Sequence, residues 1–210
     1  EKLPIRLHLS SLGSCFNSES VSFYRSMGVR RIILPRQLTI ADICNIKRKS
    51  DPKMEFEVFA INDGCFYEEG FCQTTHTLGP FCLADWGIRE WRSDCMLSSA
   101  NNIEERKKKL NEYLWFQNNC GSTYQEDGLP NGPCSLCWFG LFRNLGISAV
   151  KIVGREASFF RKMGSLQLVK AVMEKVQQNL PADDIAKYAR SLRNTPDYCA
   201  HGAMCYFKEY

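Results

Sequence analysis

Two kinds of hydrophobic pattern alternate along the first sixty residues of the chain. Continuous apolar runs are typical of strands buried on both faces, and the amphipathic segments between them are typical of helices. The predicted order is strand, helix, strand, helix, strand, over residues 5–10, 18–27, 29–34, 39–47 and 55–61. Single helices between successive strands predict a parallel sheet with right-handed crossovers.

The second half of the chain continues this pattern less regularly. A helix is predicted over residues 103–116, another ends near residue 145, and a strand follows over residues 149–153. Two amphipathic helices come next, with apolar faces formed by Leu166, Val169, Met173 and Val176 and by Ile185, Tyr188, Ala189 and Leu192. Only about four strands are visible, which is too few to close a barrel of eight.

These elements predict an α/β fold in two parts. Residues 1–180 are expected to form a partial (β/α) barrel domain with cysteine-rich loops. Residues 181–210 are expected to form a C-terminal helix and a cysteine-containing tail. The strand count leaves three explanations open: a partial barrel, a fragment of a longer chain, or a subunit that a partner completes.

The composition narrows the class of protein. Of the 210 residues 44% are hydrophobic, and the net charge of +4 falls well short of a dedicated nucleic-acid binder. No window reaches the ~18 consecutive apolar residues that span a bilayer. The N-terminus lacks the layout of a signal peptide. We therefore expect a soluble, cytoplasmic protein without a membrane span.

The eleven cysteines are the most unusual feature of the composition. An odd number cannot pair completely as disulfides within one chain. The segments between them have the periodicity of an ordinary α/β core, so metal or redox chemistry is favoured over a disulfide framework. Residues 62–100 are loop-rich, and ordered loops of this length are usually functional. This region contains Cys65, Cys72, Cys82 and Cys95.

The strongest chemical motif runs from Asn62 to Cys72 and directly follows a predicted buried strand. In parallel α/β folds, sites are built on the loops that leave the carboxyl ends of the strands. The thiolates of Cys65 and Cys72 are soft ligands that suit an iron-sulfur cluster or zinc. The alternative is that both are buried apolar cysteines, although the flanking glycines and acidic residues are not typical of a core.

A second motif, Cys134-Ser-Leu-Cys137, precedes an apolar helix. By itself it fits metal ligation, a redox dithiol or coincidence, and Cys95 would complete a set of four thiols. Structural zinc sites commonly use two tight cysteine pairs, so the wide spacing favours an iron-sulfur cluster, with zinc as the alternative. Cys134 and Cys137 compete for one ligand position, and Cys95 and Cys82 for another.

The tail contains a further cluster, Cys199, His201 and Cys205. These residues could form part of a second metal site or cover the first one. The sequence has no His-Glu-x-x-His, Gly-x-Ser-x-Gly, phosphate-binding loop or Gly-x-Gly-x-x-Gly motif. Zincins, α/β-hydrolases, nucleotide hydrolases and dinucleotide-binding proteins therefore lose their usual sequence support.

Several segments follow one another in a specific order between about residues 3 and 175. They are residues 32–39, residues 57–59, the spacing of Cys65 and Cys72, and Cys134 followed by residues 146–147 and 151–155. In this combination the chain resembles peptidase family U32, the collagenase-like proteins. One departure is Val153, where an acidic residue is usual before Gly-Arg.

The resemblance implies a TIM-barrel-like parallel sheet whose earlier strands would precede residue 1. It also implies a four-iron four-sulfur cluster held by Cys65, Cys72, Cys95 and Cys134, with Cys137 as the alternative to Cys134. Members of this family resemble oxygen-independent hydroxylases, or partners of such enzymes. Their substrates are RNA bases or quinone precursors, with prephenate as the oxygen source.

Three functions stay open on this evidence. The first is an iron-sulfur enzyme, or a subunit of one, that hydroxylates an RNA or small-molecule substrate. The second is a non-catalytic, metal-stabilised binding subunit that completes a barrel with a partner. The third is a protease, which rests on the family name alone because no nucleophile and base pair can be picked out.

Overall fold

The computed structural model describes residues 5–62, 133–154, 159–202 and 205–207. The strands in these ranges are β1 Leu7–Leu9, β2 Val29–Ile33, β3 Glu55–Ile61 and β4 Ala149–Ile152. The α-helices are α1 Ser18–Ser26, α2 Ile40–Lys49, α3 Phe139–Leu145, α4 Phe159–Gln177, α5 Ala182–Arg193 and α6 Pro196–His201. Short 3-10 turns are formed by Ser11–Gly13 and Leu136–Trp138.

The four strands form one parallel sheet in the order β1-β2-β3-β4. Ile32 pairs with Phe56 between β2 and β3, and Val58 pairs with Val150 between β3 and β4. Parallel neighbours need a crossover connection, which α1 and α2 provide for the first two pairs. The predicted α/β class and parallel sheet are confirmed. Closure into a barrel is not confirmed, because the sheet is open in the described ranges.

Side-chain caps set the starts of the first two helices. The Asn17 side chain accepts a hydrogen bond from Ser20 N at 2.8 Å. Thr39 and Asp42 form a capping box, with the Thr39 hydroxyl 3.0 Å from Asp42 N and the Asp42 carboxylate 2.9 Å from Thr39 N. Gly28 follows α1 with a φ of +93°, the left-handed conformation that often ends a helix. Local signals therefore explain why this region follows the predicted order.

β3 is the most deeply buried strand of the sheet. Phe56 and every residue from Val58 to Ile61 are buried. Burial of consecutive residues means that both faces of the strand are covered. Ile43 of α2 and Leu168 and Val172 of α4 belong to the same core.

The buried face of α4 agrees with the predicted one in part, because Val169 is buried and Met173 and Val176 pack against the core. Leu166 is 50% exposed, whereas Ser165, Leu168 and Val172 are buried. A small polar residue on this helix also faces the sheet, where Ser165 hydrogen-bonds to Asn62 at the end of β3. A prediction from the largest apolar side chains alone could not include this contact.

α5 packs against α3 and the turn that precedes it. Gly140 of α3 lies so near the start of α5 that a Cβ added to it would be 2.6 Å from Ala182 Cα. Ile185 and Ala189 are buried on α5, as predicted, and Arg193 at its end is also buried. This packing brings the C-terminal part of the chain close to the Cys134-Ser-Leu-Cys137 motif.

Some predictions lie outside the described residues. They include the helix over residues 103–116 and the loop-rich region that contains the first cysteines. The division between residues 1–180 and 181–210 stays a prediction. Among the helices that the structure describes, none combines the length and the apolar character that crossing a bilayer requires.

Replacing Gly140 by alanine tests the contact between α3 and α5. We expect the free energy of unfolding to fall by about 1–3 kcal/mol, because the added methyl group meets backbone atoms that cannot rotate away. Helix propensity alone would favour alanine by about 1 kcal/mol. Urea denaturation measures the change, with Asn144→Ala at an exposed position of the same helix as the control. Equal stability of the two variants would contradict the close contact.

Candidate metal centre

The structure describes one side of the predicted centre. Three predicted ligands and one alternative lie outside the described residues: Cys65, Cys72, Cys95 and Cys82. The thiols of the centre and tail within the described ranges are Cys134, Cys137, Cys199 and Cys205. The six cysteines in these ranges form no disulfide bond. Of the four predicted ligands, Cys134 lies within the described residues.

The segment that contains Cys134 is attached to the carboxyl end of β3. Two backbone hydrogen bonds of 2.9 Å join them, from Asn62 N to the Pro133 carbonyl and from Ser135 N to the Ala60 carbonyl. Between these bonds, Cys134 forms an antiparallel bridge with Ile61. Cys134 is thereby fixed at the edge of the sheet where parallel α/β proteins place their sites.

The C-terminal tail adds to the other side of this segment. Tyr206 N donates to the Cys134 carbonyl at 3.0 Å, and Cys205 forms a parallel bridge with Cys134. The side chains of directly paired residues lie on the same face, so the two thiols are neighbours. Tyr206 and Phe207 are buried and anchor the tail in the core. The aromatic pair after Cys205 is the sequence signal that would have predicted this docking.

Burial dominates the chemistry of these thiols. Burial raises the pKa of the Cys137 thiol to about 12, with repulsion from Cys134 and Cys205 adding to the shift and Arg190 opposing it. Burial also raises the pKa of the Cys134 thiol, and the positive charge of Arg193 is the largest opposing effect. Both thiols are therefore protonated at neutral pH when no metal is bound. A metal would have to displace their protons.

Arg193 and Cys199 also lie close to Cys134. Arg193 is only 2% exposed and hydrogen-bonds to the Cys134 thiol. Cys199 Sγ lies 3.6 Å from Thr195 Oγ1. In the part of the chain that the structure describes, no group of three or more His, Cys, Asp or Glu side chains is arranged to hold a metal ion. A second metal site formed by Cys199, His201 and Cys205 therefore stays a prediction.

Asn62 is a buried polar residue to which the sequence pattern assigned no role. It directly follows β3, is 1% exposed and has a φ of +73°. Its Nδ2 donates to the Ser165 hydroxyl at 2.5 Å and to the Val153 carbonyl at 3.4 Å. Its Oδ1 has no hydrogen-bond partner among the described residues. The signal that could have found it is its position immediately after a buried parallel strand.

The same edge of the sheet presents positive charge and aromatic surface. The Arg36 guanidinium lies 4.2 Å from the centroid of the Phe59 ring, and Lys151 Nζ lies 5.3 Å from it. Phe159 and Phe160, at the start of α4, are 68% and 78% exposed. Cations therefore lie near the carboxyl edge that holds Cys134, and exposed rings begin the helix that follows β4.

A pocket of about 360 Å³ lies at the opposite edge of the sheet. Its lining residues are Val21, Ser22, Arg25, Ser26, Arg30 and Asp51. They cluster where β2 and β3 begin rather than where these strands end, and none of them is a thiol. The pocket is therefore not part of the candidate metal centre.

The family of the chain follows from a match along nearly its whole length. A sequence profile of peptidase family U32 matches residues 1–209. The chain belongs to peptidase family U32. The resemblance based on the cysteine spacing and the strand segments is thereby confirmed.

Three curated relatives of this U32 chain carry the name tRNA hydroxylation protein P. The Escherichia coli protein is 36% identical over 210 aligned positions, covering 84% of this chain and 46% of the relative. The Haemophilus influenzae protein is 37% identical over 68 residues, covering 32% of this chain and 15% of the relative. The Helicobacter pylori protein is 34% identical over 68 residues, covering 32% and 16%.

The length of the match limits what these relatives say about this U32 chain. The chain spans less than half the length of the curated relatives that it matches. No solved structure matches the chain significantly.

The raised pKa of Cys137 predicts low reactivity in protein without metal. A thiol with a pKa of about 12 is almost entirely protonated at neutral pH, and the thiolate is the nucleophile. We expect iodoacetamide to modify Cys137 at least about tenfold more slowly in the folded protein than in concentrated urea. Mass spectrometry of the peptide that contains Cys137 measures the two rates. Equal rates in the two states would contradict the protection of this thiol.

Proposed function

We propose that this chain is part of an enzyme that hydroxylates a base of tRNA without molecular oxygen. In this proposal Cys65, Cys72, Cys95 and Cys134 hold a four-iron four-sulfur cluster at the carboxyl edge of the sheet. The observation that carries the proposal is the attachment of Cys134 to the end of β3, because the first two cysteines follow the same strand. Family membership and the name of the relatives supply the reaction class.

The length of the chain supports this set of ligands. Cys65 comes three residues after Asn62, so the covalent chain keeps their Cα atoms within about 11 Å. Cys134 pairs with Ile61, the residue before Asn62. Four thiolates are the usual ligands of a four-iron cluster. They also suit zinc, which is the competing metal. Cys137 remains the alternative to Cys134.

The described surroundings of Cys134 fit an anionic centre. Arg193 hydrogen-bonds to the Cys134 thiol, and Arg190 is close enough to Cys137 to lower its pKa. Both cations would stabilise thiolates once the protons have left. The buried tail residues Tyr206 and Phe207 exclude water from this side. When bound, an iron-sulfur cluster supplies one-electron redox chemistry.

The exposed aromatic side chains at the start of α4 are consistent with an RNA substrate. The rings of Phe159 and Phe160 are 5.8 Å apart in an edge-to-face arrangement, and both are exposed. Exposed aromatic rings are the platforms on which proteins stack unpaired bases, and the neighbouring Lys162 is also exposed. With the name of the relatives, this surface favours tRNA over the quinone precursors that the family resemblance also implies. The proposed location is the cytoplasm, where thiols stay reduced.

The second candidate is a metal-stabilised binding subunit without catalysis. Ile5 and Leu7 are 62% and 45% exposed beside the outer edge of the sheet, where β1 pairs only with β2 in the described ranges. An apolar edge strand of this kind is normally covered in the native protein. A partner subunit, or further strands of the same chain, would cover it. This candidate becomes the leading one if metal binds but no hydroxylation is found.

The proposed activity predicts a specific change in cellular tRNA. Deleting the gene should remove at least one hydroxylated nucleoside from bulk tRNA, and the full-length protein should restore it. The full-length Cys65→Ser variant should fail to restore it, because a thiolate ligand is lost. Mass spectrometry of digested tRNA measures the nucleosides. An unchanged nucleoside profile after deletion would contradict hydroxylation of tRNA.

The proposed ligand set predicts the iron content of purified variants. Cys65→Ser and Cys72→Ser should each retain less than about half of the wild-type iron and sulfide, because a four-iron cluster needs four thiolates. Cys44→Ser, on α2, is the matched control and should retain all of it. Comparison of Cys134→Ser with Cys137→Ser decides which thiol is the fourth ligand. Full iron retention in both the Cys65 and Cys72 variants, purified without oxygen, would rule out the proposed ligand set.

A further inference from the structure

We infer that Asn62 is a substrate-positioning residue whose side-chain oxygen accepts a hydrogen bond from an N–H group of the base. The inference rests on the proposed function and adds a residue to the same site. Three observations carry it: the fixed orientation of the Asn62 amide, its complete burial, and its position beside Cys134.

The orientation of the amide follows from Ser165. The Ser165 hydroxyl donates its one proton to the Arg161 carbonyl at 2.7 Å. Only its lone pairs remain for Asn62, so the contact at 2.5 Å is a donation from Asn62 Nδ2. The Val153 carbonyl, 3.4 Å from Nδ2, can also only accept. The Asn62 Oδ1 is therefore directed away from both partners.

Asn62 combines two features that are unfavourable for folding alone. It is 1% exposed, and its Oδ1 has no hydrogen-bond partner among the described residues. Buried polar atoms without a partner are rare in native proteins. Its φ of +73° lies in the left-handed region, where glycine is free of strain. Such features cluster at functional sites, where the surrounding structure holds them in place.

The position of Asn62 is that of a residue in the proposed centre. Its backbone N–H bonds to Pro133, the residue before Cys134. Cys65 follows three residues later in the sequence. An acceptor oxygen at this point suits a nucleobase, because the bases offer ring N–H or exocyclic amine groups as donors. Buried acceptors of this kind give strong discrimination, since a substrate without the donor leaves them unpaired.

The competing explanation is that asparagine is present at position 62 only because the backbone there has a positive φ. Asparagine tolerates positive φ better than most residues, and a donor from outside the described ranges could pair with its Oδ1. For a residue that only adopts this φ, glycine would be at least as good a choice. Comparison of glycine with aspartate, which both lose the Nδ2 donor but differ in the acceptor oxygen, therefore separates the two explanations.

The test compares Asn62→Gly with Asn62→Asp in the full-length protein. Both substitutions remove the Nδ2 donor to Ser165 and Val153. Glycine keeps the backbone conformation and also removes the acceptor, whereas aspartate tolerates this φ and retains an acceptor oxygen. We expect Asn62→Gly to slow the formation of the hydroxylated nucleoside at least about tenfold. Its iron content and its affinity for unmodified tRNA should stay within about twofold, because phosphate contacts dominate affinity. Both variants should melt at a lower temperature than the wild-type protein, because both lose the Nδ2 donor to Ser165 and Val153. Asn62→Asp should retain more activity than Asn62→Gly.

Each other outcome has a definite meaning. Wild-type hydroxylation by Asn62→Gly would overturn the inference and leave the proposed function intact. Loss of iron in Asn62→Gly would also overturn it, because the residue would then be needed to build the centre. Equal losses in the glycine and aspartate variants would overturn the role of the acceptor oxygen. Absence of the hydroxylated nucleoside with the wild-type protein would overturn the proposed function and the inference together.

Discussion

The pairing of Cys134 with the end of β3 is the constraint on which the candidate centre depends. Two backbone hydrogen bonds of 2.9 Å return a segment from much later in the sequence to the strand that leads into the first cysteine motif. The tail then pairs with the other side of the same segment through Tyr206. Three parts of the chain thus meet where the most buried strand ends. The sheet supplies a rigid base for them, because β3 is covered on both faces.

In the proposed centre, metal binding would be linked to the stability of the C-terminal region. Burial keeps the Cys134 and Cys137 thiols protonated at neutral pH without metal. The buried Arg193 would gain an anionic neighbour when Cys134 ionises. Ligation would therefore release protons and stabilise the packing of α5 and the tail around the centre. Arg193 and Arg190 oppose the effect of burial on these thiols.

Local sequence signals predicted the elements well, and contacts between distant residues account for what they missed. The capping box of Thr39 and the apolar run of β3 act within a few residues, so the pattern contains them. The bond between Ser165 of α4 and Asn62 joins residues that are 103 positions apart in the sequence. The docking of Cys205 beside Cys134 likewise needs a tertiary contact. Motif spacing suggested which cysteines could be ligands. It contained no information on the contact of the tail with Cys134 or on the orientation of the Asn62 amide.

The most direct test of the account is an anaerobic absorption spectrum of freshly purified full-length protein, before and after dithionite, with iron and sulfide counted in the same sample. The account predicts a broad shoulder near ~400 nm that bleaches on reduction, with about four irons and four sulfides per chain. A colourless protein that contains zinc instead would contradict it. The thiols would then have a structural role, and the chain would be a metal-stabilised binding subunit.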